Sequence, residues 1–128
     1  MTQGIADTSV FIARESGRPI DEAALPDEIG VSVITIGELR AGVLAADDVE
    51  TSDRRLATLT AALALEPMPV DARIAEAWAS LRVRLRFSEQ RMPVNDSWIA
   101  ATAMALGVPV VTQDADYVEV AGLSVVKV

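Results

Sequence analysis

Short apolar runs alternate with stretches whose apolar residues recur at helical spacing, along the whole chain. This pattern predicts an α/β fold with a mainly parallel central sheet. Strands buried on both faces read as continuous apolar runs, and parallel pairing needs helical crossovers. Gly4-Ile5-Ala6 reads as a short strand ending at Asp7, and Thr8 to Ile12 as the start of a short helix. Arg14 to Asp27 carries Gly17, Pro19 and Pro26 and reads as a loop with at most a short helix. Val31 to Ile34 is the second expected strand. Thr35 then stands where an N-cap should be, Glu38 follows at capping-box spacing, and Ile36, Leu39 and Val43 form the stripe of the next helix.

Asp47-Asp48 ends that helix loosely, and Thr51-Ser52-Asp53 is the expected cap of a third helix striped by Leu56, Leu59 and Leu63. Pro67 and Pro69 break the chain around a short edge strand at Met68 to Val70. The longest helix is expected from about Asp71 to Glu89, with Ile74, Trp78, Leu81 and Leu85 as its stripe. Asn95 or Asp96 would cap the next one, which carries Ile99, Thr102, Ala103 and Leu106 and stops at Gly107. Val108 to Thr112 reads as a buried strand with Asp114 just beyond it, and Leu123 to Val128 as a final strand. No repeat, low-complexity tract or linker intervenes, so residues 1–128 read as a single domain.

Composition narrows the chemistry. The chain has no His and no Cys, and its one Lys is Lys127. Thiol and imidazole catalysis, thiolate or His zinc sites, a P-loop lysine and a Schiff base are therefore excluded or badly placed. Catalysis must rest on carboxylates, hydroxyls, amides, Arg or a metal held by oxygen, and carboxylates suit Mg²⁺ or Mn²⁺.

Four acids occupy equivalent places. Asp7 ends the first strand, Glu38 lies early in the helix after the second, Asp96 opens a helix and Asp114 follows a strand. The carboxyl ends of parallel strands share one edge, so the four would converge on one pocket, with Asp116 available as a fifth. Converging carboxylates repel, and a divalent cation reverses that repulsion. Taken singly, each has a local alternative: Asp7 and Asp96 as helix caps, Glu38 as half of a capping box, Asp114 and Asp116 as turn residues.

The segments Ile5 to Ile12, Thr35 to Gly42, Val94 to Ala103 and Val111 to Tyr117 resemble the successive motifs of PIN domains, and more narrowly those of VapC toxins from VapBC toxin–antitoxin pairs. The resemblance implies a three-layer α/β/α fold and a Mg²⁺- or Mn²⁺-dependent endoribonuclease. It places Asp7, Glu38, Asp96 and Asp114 on the family's acidic quartet and Asp116 on a more variable fifth acid, with Ser9, Asn95 and Thr112 as supporting residues. It also implies a VapB-type antitoxin partner and a homodimer, while the absence of Cys is compatible with a cytoplasmic location. Two rivals share the size and acidity: a Mg²⁺-binding signalling module and a catalytically silent PIN-like interaction module. The first needs an adjacent acid pair and an earlier Lys, both missing here; the intact quartet speaks against the second.

A net charge of −8 looks wrong for an RNA-binding protein, but setting aside the five candidate acids leaves −3. Arg82, Arg84, Arg86 and Arg91 cluster at the end of the long helix and read either as a basic flank for the RNA backbone or as a solvated face. Trp78 and Trp98 sit on helical stripes and read as core or interface. Leu44, Val49 and Leu65 are candidates for an oligomer interface. No apolar run is long enough to span a membrane, and the opening residues lack the basic start of a signal peptide.

Overall fold

The computed structural model describes residues 1–128. In order, the elements are β1 (Gln3–Ala6), α1 (Thr8–Ser16), a 3₁₀ turn (Glu22–Ala24), β2 (Glu28–Gly30), α2 (Val33–Leu44), α3 (Val49–Leu63), α4 (Ala72–Phe87), α5 (Val94–Leu106), β3 (Val110–Thr112) and β4 (Val125–Lys127). The sheet runs β2-β1-β3-β4 and every neighbouring pair is parallel. The chain leaves β1 toward one edge of the sheet and returns on its other side at β3. The switch point of the topology thus lies between β1 and β3, where Ile5 pairs with Val110 and Ala6 with Val111.

Side-chain alternation builds the layers. Ile5 and Val110 point to one face and pack with Leu81 and Leu85 of α4 and Ile99, Ala100 and Ala103 of α5. Ala6 and Val111 point to the other face, against Val10 of α1. A third cluster, Leu39, Leu59 and Ala62, joins α2 to α3, and Phe11 of α1 reaches it. The buried alanines of α5 bring its axis close to β1 and β3, since no long side chain holds it off. Gly4 serves the same purpose within the sheet: a Cβ there would stand 2.7 Å from Val111 Cγ2.

The α4 stripe lies where the sequence places it, with Ile74, Leu81 and Leu85 buried, and Gly107 ends α5 in the left-handed region at φ 69°. Elsewhere the boundaries move. Val31 to Ile34 is not a strand: β2 ends at Gly30, Ser32 caps α2 by accepting from the Ile34 amide, and Val33 and Ile34 are already helical. A short apolar run fits a strand or a buried helix start equally well, and the serine within it decides. Thr35 is consequently an interior helical residue, and no capping box with Glu38 forms. Asp48, not Thr51 to Asp53, caps α3, because its carboxylate accepts from the Thr51 amide at 2.7 Å. Pro93 holds the N-cap position of α5, so Asn95 and Asp96 lie inside the first turn. Met68 makes only an isolated bridge to Ser32 in place of an edge strand. Leu56 and Leu63 stay largely exposed beside the buried Leu59, as do Leu44, Val49 and Leu65.

Candidate active site

The strand ends set the site. Asp7 directly follows β1, is buried, and caps α1 by accepting from the Ser9 amide at 3.1 Å. Both carboxylate oxygens are engaged. Ser9 Oγ donates to Oδ1 at 2.5 Å, and Thr112 Oγ1, at the end of β3, donates to Oδ2 at 2.6 Å. Each hydroxyl accepts in turn from the backbone: Ser9 Oγ from the Gln113 amide and Thr112 Oγ1 from the Asp114 amide, both at 2.9 Å. Two short relays therefore lock the backbone that carries Asp114 to the carboxylate of Asp7 across the switch point.

Glu38 approaches from α2. Its Oε1 lies 2.7 Å from Thr8 Oγ1, which also lies 3.1 Å from Thr35 Oγ1. The single Thr8 proton goes to the charged acceptor. Asp96 approaches from the first turn of α5, where the positive end of the helix favours an acid.

A cleft of about 560 Å³ gathers these groups. Its walls include Asp7, Glu38, Asp96, Asp114 and Asp116, together with Thr8, Ser9, Asn95 and one cation, Arg18. The whole proposed acid set is thus assembled from four segments of the chain. The electrostatics record the crowding. Burial, and then the charges of Asp7, Asp116, Glu38 and Asp114, push Asp96 up to about 6. Asp7 is raised chiefly by burial, and the Ser9 and Thr112 hydroxyls work against that rise. The Tyr117 hydroxyl is raised by burial and by the charges of Asp7 and Asp96, and it is buried without a hydrogen-bond partner.

The donor set fits a hard divalent cation: carboxylate and hydroxyl oxygens, excess negative charge, and no soft ligand. No three carboxylates converge tightly enough to enclose an ion by themselves.

The supporting residues divide. Ser9 and Thr112 are structural partners of Asp7, whereas Asn95 only lines the cleft wall. Thr8, Thr35 and Arg18 were not read as site residues from the sequence. Thr8 and Thr35 lie beside residues that were singled out, but a contact between α1 and α2 leaves no local trace. The arginine cluster also divides. Arg82, Arg86 and Arg91 line a groove of about 350 Å³, and Val94 is shared between this groove and the acid cleft. Arg84 does not join them: it donates to the Ala121 carbonyl and straps the loop between β3 and β4 to α4. Trp78 and Trp98 stack with ring centroids 4.3 Å apart, and the Arg82 guanidinium lies 5.7 Å from the centre of the Trp78 ring.

The PIN domain profile matches residues 5–123. Ribonuclease VapC5 of Mycobacterium tuberculosis is 47% identical over 125 residues, covering 98% of this chain and 93% of the relative. Ribonuclease VapC4 of the same organism is 46% identical over 126 residues, covering 98% and 97%. Among solved structures, that of VapBC-5 from Mycobacterium tuberculosis, described as a member of the VapBC family of toxin-antitoxin systems, superimposes with a TM-score of 0.91 at 42% identity, over the full length of both chains. With its parallel sheet and its acids gathered at the switch point, the chain belongs to the PIN domain family, among the VapC proteins.

Proposed function

We infer that this chain is an RNA-cleaving hydrolase, the toxin member of a VapBC-type pair. The observation that carries the reading is the cleft itself: five carboxylates from four segments of the chain line one cleft beside the carboxyl ends of β1 and β3, with two hydroxyl relays holding Asp7 and Asp114 in register. The names of the close relatives, ribonucleases VapC5 and VapC4, supply the reaction class.

Asp7, Glu38, Asp96 and Asp114 would hold Mg²⁺ or Mn²⁺, with Asp116 at the rim. The loose spacing of the carboxylates suits an ion that keeps several waters. When bound, the cation supplies Lewis-acid activation and offsets phosphate charge. The chain's own residues do the rest. Ser9 and Thr112 fix Asp7, and Thr8 orients Glu38. Asp96 or Asp114 takes a proton from the attacking water as its oxygen bonds to phosphorus and the P–O bond to the leaving oxygen breaks, that oxygen taking up a proton from solvent. Arg82, Arg86 and Arg91 guide the RNA backbone toward the cleft past Val94. The same reading includes a VapB-type antitoxin that covers the cleft, a homodimer in which the exposed Leu44 and Val49 are candidate contacts, and a cytoplasmic location.

The test is incubation of the protein with end-labelled RNA in EDTA, Mg²⁺ and Mn²⁺. Cleavage in either ion, lost in EDTA and lost in Asp96→Asn, is the expected result. Undiminished cleavage by Asp96→Asn, or no cleavage under any condition, would overturn the assignment.

A further inference from the structure

Five carboxylates make a hostile surface for a polyanion, and a cationic side chain in the cleft wall would help hold one there. That groove adjoins the α5 wall at Val94. The part of the cleft wall formed by α1 and the residues after it contains a single cation, Arg18. We propose that Arg18 holds a backbone phosphate of RNA bound in the cleft, so that the strand crosses the acids between Arg18 and the groove of Arg82, Arg86 and Arg91. The inference rests on the ribonuclease reading and adds a substrate-binding residue to it.

Three observations support the assignment. First, Arg18 lines a five-carboxylate cleft yet forms no ion pair; the protein's salt bridges are Arg14–Glu22 and Arg54–Glu15. An arginine that served only to neutralise these acids would be expected to lie on one of them. Second, its backbone is held on both sides. Gly17 adopts φ 76° and donates to the Arg14 carbonyl, and the Arg18 amide donates to the Ala13 carbonyl at 2.9 Å, which is the paired closure of a Schellman cap. Pro19 follows, restricting Arg18 to extended backbone, and its carbonyl accepts from Gln113 Nε2 at 2.8 Å. Gln113 adjoins Asp114 and donates its own amide to Ser9 Oγ, so the arginine is tied to the framework that holds the acids. Third, the guanidinium fork matches phosphate oxygens bidentately and keeps its charge beside carboxylates.

The test is fluorescence anisotropy of a labelled single-stranded RNA against Asp96→Asn protein, with and without Arg18→Gln or Arg18→Lys, over a range of salt. Arg18→Gln should weaken binding about tenfold, the scale of one hydrogen bond to a charged group. It should also make log K against log salt shallower by about 0.7. Arg18→Lys should restore the salt slope but only part of the affinity, because it keeps the charge and loses the fork. In otherwise wild-type protein the loss should appear in KM more than in kcat. An unchanged salt slope would overturn the proposal, whether or not the melting temperature or Mg²⁺ affinity moves. In that case cleavage that still depends on Asp96 would leave the ribonuclease reading standing, whereas absence of RNA binding by every variant, and of RNA cleavage by the wild type, would overturn both.

Discussion

Asp96→Asn should stabilise the protein in chelator at neutral pH, and the structure sets the size of the effect. Asp96 carries its carboxylate into a cleft with four others, and neither an ion pair nor a hydrogen bond offsets the charge. Its pKa rises from 3.8 to about 6, led by burial and then by its neighbours' charges. Each pK unit corresponds to about 1.4 kcal/mol, so the full penalty on the ionised form is about 3 kcal/mol. Because the side chain is only half-buried, solvent screens about half of this and leaves about 1.5 kcal/mol. The variant also loses an acid from the first turn of α5, a favourable helix-dipole contact of about 0.5 kcal/mol. The net gain is about 1 kcal/mol, or about 4 °C in Tm for a domain of this size. The sign follows from linkage. Below pH 3.8 the group is protonated in both states and costs nothing; as pH rises through 6 the folded protein is forced to ionise it and stability is lost. Thermal melts of wild type and Asp96→Asn in EDTA should therefore differ by about 4 °C at pH 7.5 and converge by about pH 4. A variant less stable at pH 7.5, or a difference independent of pH, would refute the picture of a charge strained by its neighbours.

Asp7→Asn should behave oppositely to Asp96→Asn in the same melts. An amide cannot accept on both sides from Ser9 and Thr112, so a loss of about 1–2 kcal/mol is expected alongside loss of cleavage. A stabilised Asp7→Asn would show that the relays carry little energy. Replacing Arg86 and Arg91 together by Gln should flatten the salt dependence of RNA binding by about 1.4 in log–log slope, at about 0.7 per phosphate contact, whereas Arg84→Gln should leave that slope unchanged and lower Tm. Gly4→Ala should destabilise by about 1–3 kcal/mol in urea titration, because its Cβ would meet Val111 Cγ2 at 2.7 Å and Pro26 Cγ at 3.0 Å. A neutral Gly4→Ala would mean that β1 and β3 can shift apart at no cost.

Much of this was readable before the fold. The Ile74–Leu85 stripe, the stop at Gly107 and the central strands β1 and β3 sit where the pattern puts them, because each is a local property of the chain. The four acids were legible for a different reason: a parallel sheet sends every strand end to one edge, whatever the details. Local ambiguity defeated the rest. Val31 to Ile34 is apolar enough for a strand, and only Ser32, by capping, turns it into the start of α2. The cap of α3 came one turn early for the same kind of reason: Asp48 and Thr51 are both competent, and the geometry chose the former. Arg84 could not be separated from Arg82 and Arg86 by spacing, since its partner, the Ala121 carbonyl, lies 37 residues away. Gly17 and Pro19 announce a helix stop, but nothing local shows that Arg18 between them faces the acids.

The sheet order also imposes a timetable on synthesis. β1 lies inside the sheet, with β2 on one side and β3 on the other. Its first partner emerges from the ribosome soon after it, but the second, which brings Thr112 and Asp114, follows only after α2, α3, α4 and α5 have been made. Until then Asp7 lacks the hydroxyl on its Oδ2 side, and the cleft lacks Asp114 and Asp116. Contacts this distant in sequence form late and slowly. A chain that stops short of β3 therefore lacks both Thr112, which holds Asp7, and two of the five cleft acids. The acid cleft is complete only once β3 lies against β1.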